Sequence, residues 1–302
     1  MAKKVSLGIM EQSVMRQENI SEAEKLEIKD VLDHVTHVEG KYLKTLELLK
    51  ERVKTIGGGK PLILHAQYPA KGDDILNMSN PEFRSQLGDE FVRIIDTFDP
   101  EMFSFHLGFS CEKLKSGGQF DFATALSEVL PEDVVRQRIV DNMAFIKDKY
   151  LKRGEILLEN LDYNPKDKSG AYEYVCDPVF ITEILDATGC RMLLDIGHAN
   201  CSAQNMGFDD VMSFMNKLPL EKVVEIHMSG AGRKDGLAHD THHAITKEGQ
   251  REVEYLEKAL KSGRLTSLAA VTLETFEDII AQLDLLRSVL ERCGYTIEPL
   301  SS

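Results

Sequence analysis

A (β/α)8 barrel, the TIM-barrel fold, is the architecture this sequence predicts, on three observations. Short apolar runs of β type alternate with longer, charged segments whose apolar residues recur every three or four positions. Strand followed by helix, repeated, builds a parallel sheet covered by helices. Seven or eight such units in 302 residues match the size of a closed barrel. The alternative, an open doubly wound sheet, lacks support because no G-x-G-x-x-G motif follows the first run. No internal repeat interrupts the pattern, and residues 1–302 are read as a single domain.

In chain order, the first strand is expected at residues 5–10, and a weaker one around 35–39. The Gly57-Gly58-Gly59-Lys60-Pro61 stretch lacks Walker spacing and no helix follows it, so it reads as a loop entering a strand at 61–68. Further strands are expected at 102–109, 155–161, 191–199, 223–229 and 268–275. Helical spacing marks 133–151, 178–188, 208–217 and 248–262, with an amphipathic closing helix at 277–292 and a frayed tail to Ser302. The stretches 69–90 and 109–123 are long loops at the end of the barrel that reads substrates.

Composition narrows the function classes. Hydrophobic residues make up 42% and charged residues 28%, ordinary values for a globular enzyme. No apolar run is long enough to cross a bilayer. Too few apolar residues follow Lys3 and Lys4 for a signal-peptide core, so a cytoplasmic protein is expected. Five scattered cysteines without a C-x-x-C pair argue for reduced thiols, not a disulfide framework. A net charge of −14 argues against a broad nucleic-acid surface, because phosphates are held mainly by Lys and Arg.

The chemistry is carried by where the ionisable residues fall. Successive apolar runs finish in His65, His106, Glu159, Asp195, His227 and Glu274, with His198 three residues after Asp195. In a barrel these ends form one ring at the catalytic face. The Asp240-Thr241-His242 loop, if extended, turns its outer two side chains to one side. Taken singly, any of these histidines is more readily a satisfied core or rim residue. Taken together, five histidines and four carboxylates would be destabilising if merely buried, since an unpaired buried charge costs several kcal/mol. Divalent cations resolve that conflict. Outside the pattern, His34 and His37 read as helix or loop residues, and His239 and His243 as at most supporting pocket residues. Cys190 and Cys201, flanking Asp195, read as packing residues.

These residues resemble two related families of xylose-isomerase-like barrels. Leu194-Asp195-Ile196-Gly197-His198-Ala199, Glu159-Asn160, Asp240-Thr241-His242 and Leu273-Glu274-Thr275 are similar to strand ends of endonuclease IV, a trinuclear zinc phosphodiesterase. Longer stretches resemble the multinuclear non-heme iron-dependent oxidative enzymes, the methanobactin-biosynthesis oxygenase among them. They are residues 188–195, continuing through 202–209, and 218–230, with Leu158-Glu159-Asn160 and Tyr163. The resemblance is strong from about residue 155 to 274 and weak before His65, and the flanking residues rank the iron family first.

That resemblance implies a ligand set. Glu159 would bridge two ions, one also bound by Asp195, His227 and Glu274, the other by His65 and His106. A third would be held by His198, Asp240 and His242. The iron family usually has Asn where this chain has His198, and endonuclease IV has His. The donor types suit non-heme Fe(II) and open zinc sites equally. The expected cofactor is two or three iron ions, with zinc or manganese as alternatives. The implied activity is an iron-dependent oxidase using dioxygen on a thiol- or cysteine-containing substrate, a peptide among the candidates, with Glu159, His65 and His106 at the reacting centre. A peptide-presenting partner protein is implied too. The alternatives are a zinc phosphodiesterase on damaged DNA and a sugar or sugar-phosphate isomerase or epimerase.

Overall fold

The structure, a computed structural model, describes residues 3–15, 28–41, 46–56, 59–66, 76–115, 123–150, 154–165 and 169–300. Eight strands form the barrel: β1 (Lys3–Met10), β2 (His37–Lys41), β3 (Leu62–Ala66), β4 (Met102–His106), β5 (Glu155–Glu159), β6 (Arg191–Asp195), β7 (Val223–Met228) and β8 (Ala270–Leu273). Each pairs in parallel with the next, and β8 pairs with β1 through Ser6 to Ala270 and Gly8 to Thr272, which closes the cylinder. The predicted fold is the observed one.

Helices pack their apolar faces onto the outside of this cylinder. Between the helix Phe83–Phe98 and β4, Phe83 and Phe91 meet Phe103 and Phe105 in tilted and edge-on ring contacts. Each such side chain, fully buried, contributes about 1.5–3 kcal/mol. Local chemistry sets the helix ends. Asp177 accepts a hydrogen bond from the Val179 amide, Pro178 follows in the first turn, and Gly189 ends the helix Pro178–Thr188 in a left-handed conformation (φ 62°). Among the described residues no helix is long and apolar enough to cross a membrane.

The inside of the cylinder is divided by chemistry. Ile63, Met102, Leu157, Leu193, Val224 and Ala270 form a buried apolar plug. Ser6, His37, Glu39, Glu225 and Thr272, from β1, β2, β7 and β8, are equally buried but polar.

Several expectations are corrected. His37 is neither a helix nor a loop residue: it lies within β2, 0% exposed, where pairing of His37 with Gly8 holds it inside the barrel. The run at 191–199 is strand only to Asp195, because the Asp195 side chain caps a helix, Ile196–Asn205, by accepting from the His198 amide. The segment 208–217 is helical only over Val211–Met215, where Asp210 supplies the cap. The tail is not frayed up to residue 300: Tyr295–Ile297 pairs with Lys3–Val5, and Leu300 packs against the apolar plug. Within 69–90, the helix Phe83–Phe98 occupies the end of what reads as loop; residues 67–75 and 116–122 lie outside the described residues.

Candidate metal centre

Glu159, the last residue of β5, is the hub. Its Oε2 lies 3.1 Å from His106 Nε2 and 3.5 Å from His65 Nε2. Its Oε1 lies 3.3 Å from His198 Nδ1 and 3.8 Å from His227 Nδ1. One carboxylate therefore faces two different groups of imidazoles with its two oxygens. Glu274 Oε2 is 3.3 Å from His227 Nδ1, and Asp195 Oδ2 is 3.8 Å from His198 Nδ1. Asp240 Oδ2 lies 2.8 Å from His242 Nε2 and 3.4 Å from His198 Nε2. All nine residues picked from the sequence meet in one continuous cluster at the C-terminal end of the strands.

Each side chain is aimed by its element. β3 and β4 end side by side, and Ser104 holds His65 Nδ1 at 2.6 Å, so Nε2 turns to Glu159. Asn160 exchanges two 3.0 Å hydrogen bonds with the Asp195 backbone, locking β5 to β6. His198 sits in the first turn of the helix that Asp195 caps. Its Nδ1 donates to the Asn160 carbonyl at 2.9 Å, which leaves Nε2 to face Asp240. Gly197 leaves the space this turn needs, since a Cβ there would meet Ser229 Oγ at 2.4 Å. The stretch 240–242 is not a loop: it belongs to a hairpin of Gly230–Lys234 and Leu237–His243. Its register shifts near Gly230, and His242 takes a left-handed conformation (φ 48°). Asp240 and His242 meet at 2.8 Å beside that irregularity.

Burial and mutual charge dominate the electrostatics. Burial pushes Asp195 up to about 7, against the pull of His198. Burial would raise Glu159 too, but His106 and His65 outweigh it and hold that carboxyl well below the usual range. Burial drives His65 well below the usual imidazole range. For His227 burial acts the same way, yet Glu39 and Glu274 outweigh it and raise it well above.

The donor set fits divalent cations. His65 Nε2, Glu159 Oε2, Asp195 Oδ2 and His227 Nδ1 are buried and have no hydrogen-bond partner. An unsatisfied buried polar atom costs about 1–3 kcal/mol, so a fold that gathers several has something else for them to bind. Among the described residues three groups have ligand atoms within 4.8 Å of one another: His65, His106 and Glu159; Glu159, Asp195 and His227; and Glu39, Glu225 and His227. Imidazole nitrogen with carboxylate oxygen suits iron, zinc and manganese.

Sequence reasoning missed Glu39 and Glu225. Glu225 carried a readable signal: it stands two residues before His227, on the same inward face of β7. Glu39 sat in the weakest predicted strand. Asp162, whose carboxylate lies 4.0 Å from His239 Nδ1, was also missed; burial raises it, opposed by His198. All five cysteines are free thiols. Cys190 and Cys201 are buried, and burial raises both.

Residues 15–289 match the family described as RiPP precursor modification enzyme MbnB/TglH/ChrH. The chain belongs to that family. The match thus extends well beyond the stretches of sequence that first carried a resemblance. Relatives with uninformative names include a UPF0276 protein of Vibrio parahaemolyticus, 31% identical over 140 residues, 45% of this chain and 43% of that one. Another is a UPF0276 protein of Acaryochloris marina, 26% identical over 200 residues, 62% of this chain and 66% of that one. The chain spans about half the length of the curated relatives it matches first. Solved structures share the xylose-isomerase-like barrel of this MbnB/TglH/ChrH member. Endonuclease IV from Thermus thermophilus superposes with a TM-score of 0.58 at 13% identity, over 95% of this chain and 99% of that one. The IOLI protein with a bound zinc atom gives 0.61 at 12%, over 96% and 98%.

Proposed function

We propose that this member of the MbnB/TglH/ChrH family is a multinuclear iron-dependent oxidase that modifies a cysteine-containing peptide, a RiPP precursor. The observation that carries the reading is Glu159, with one oxygen toward His65 and His106 and the other toward His198 and His227. A carboxylate so divided is suited to bridging two ions. His65 and His106 would complete one site, Asp195, His227 and Glu274 a second, and His198, Asp240 and His242 a third. Iron bound there supplies one-electron chemistry with dioxygen and an affinity for thiolate sulfur.

The chain's own residues supply the rest. Ser104 and the Asn160 carbonyl orient two of the imidazoles, His65 and His198. Burial of Glu159, Asp195, His227 and Glu274 excludes water from the deep side of the centre. His242, Asp240, His106 and His198 are its more open side and would meet the substrate first. A partner protein that presents the peptide fits the acidic balance of −14 if that partner is basic.

The test is anaerobic purification with elemental analysis and Mössbauer spectroscopy, expected to yield two or three iron ions per chain. Glu159→Ala should lose the two ions that it bridges and, with them, dioxygen-dependent oxidation of cysteine peptides. Retention of all ions by that variant would sink the bridging role. A zinc-loaded chain that incised an abasic-site duplex would favour the phosphodiesterase alternative instead.

A further inference from the structure

The metal-centre reading uses only one nitrogen of His227, and the other leads into the polar half of the barrel. Nδ1 faces Glu274 and Glu159, while Nε2 lies 2.7 Å from Glu39 Oε2 and 3.6 Å from Glu225 Oε1. Glu39, Glu225 and His227 are all 0% exposed. Behind them runs a chain of side chains whose proton count sets its direction. The Thr272 hydroxyl donates its one proton to Glu225 Oε1 at 2.6 Å. His37 Nε2, 3.0 Å from that hydroxyl oxygen, must therefore be the donor in their contact. Burial keeps the His37 ring neutral, so its Nδ1 accepts from Ser6 Oγ at 2.7 Å, whose oxygen also lies 2.8 Å from Thr36 Oγ1. The donors of this series point toward Glu225. Gly8 makes room for it: a Cβ there would fall 2.0 Å from His37 Nε2.

Two buried carboxylates side by side are costly unless they act on something. We propose that Glu39, which accepts from the Nε2–H of His227, and Glu225, held beside that nitrogen by Thr272, His37 and Ser6, are positioning residues that clamp the ring and thereby present its Nδ1 lone pair to the metal centre. The clamp selects the tautomer, fixes the ring and makes the imidazole a stronger donor. Sidedness supports it: the polar chain lies on β1, β2, β7 and β8, around the strand that carries His227, while β3 to β6 contribute most of the apolar plug. The inference rests on the metal-centre reading, and its test separates the two.

Metal-stripped protein is titrated with Co(II), following visible absorption and equilibrium dialysis, for the parent, Glu39→Gln, Glu225→Gln, His227→Ala and the two glutamine variants combined with His227→Ala. The expected result is an unchanged number of ions in the glutamine variants. One site should weaken roughly 10- to 100-fold, with shifted absorption bands. In the His227→Ala background the same substitutions should cost less than about twofold, because coupled residues are not additive. Equal losses in both backgrounds would overturn the clamp. So would affinity within about twofold of the parent, or loss of a whole equivalent of cobalt, which would make the carboxylates ligands themselves. If a glutamine variant does not fold by circular dichroism, Thr272→Val supplies the same cycle with a several-fold loss expected. A parent that binds no Co(II) overturns the metal centre itself; a parent that binds normally with a flat cycle overturns only the clamp.

Discussion

Single residues in this barrel are held by contacts that leave little freedom. His37 fills the space over Gly8, with hydroxyls on both ring nitrogens. Gly8→Ala must push the ring out of that seat, at a cost of about 1–3 kcal/mol for overpacking a dense interior. Urea denaturation should record that loss, and Gly8→Ala combined with His37→Ala should recover most of it. A double variant as unstable as the sum of its parts would show that the clash is not the cause.

Elements carry the ligands because their ends coincide with changes of backbone type. Asp195 closes β6 and opens the helix Ile196–Asn205 with one side chain: Oδ1 accepts from the His198 amide at 2.7 Å, while Oδ2 is buried without a hydrogen-bond partner. Capping and metal binding can therefore be separated. Asn caps as well as Asp, so metal-stripped Asp195→Asn should unfold no earlier than the parent, having lost a carboxylate set among Asp240, Glu159 and Glu274. Asp195→Ala should fall about 1 kcal/mol below Asp195→Asn, the worth of a cap. Both should bind metal poorly. Equal stability of the two variants would deny the capping role.

At the scale of the whole molecule, the barrel concentrates charge that only a cation or protons can balance. In the metal-free chain burial pushes Asp195 up to about 7 and Glu39 up to about 8, from ordinary values of 3.8 and 4.5. A raised folded value means that the fold takes up protons. That contribution is whole below the unfolded values and is lost as pH rises through about 7 to 8. His37 works in the opposite sense, burial lowering it from 6.5 to about 4, but its effect falls below that window. Metal binding requires deprotonated ligands and strengthens over the same range. Melting of stripped and Co(II)-loaded protein should therefore diverge between about pH 6 and about pH 8. Saturation at a hundred times Kd adds about 2.7 kcal/mol to the loaded form. A gap that narrows with rising pH would contradict this assignment of charge.

Much of the architecture was legible in the linear chain, and so were the nine residues that the barrel brings together at one end. Strand periodicity marks which runs are buried, and a His, Asp or Glu at the end of an apolar run is conspicuous against it, as Leu158 followed by Glu159 shows. Local chemistry also announces some boundaries, such as Asp177-Pro178 before a helix. What stayed hidden depends on partners distant in sequence. The clamp joins Glu39 to His227 across 188 residues, and His37 to Thr272 across 235. Nothing near Glu39 in sequence distinguishes it from a solvated surface glutamate. Only in the folded barrel, with β2 paired between β1 and β3, does it lie behind the other nitrogen of His227. Period and residue type are properties of the chain alone. Hydrogen-bond partnership, burial and the pairing of charges exist only once the cylinder is closed, because they depend on distances that no local stretch contains.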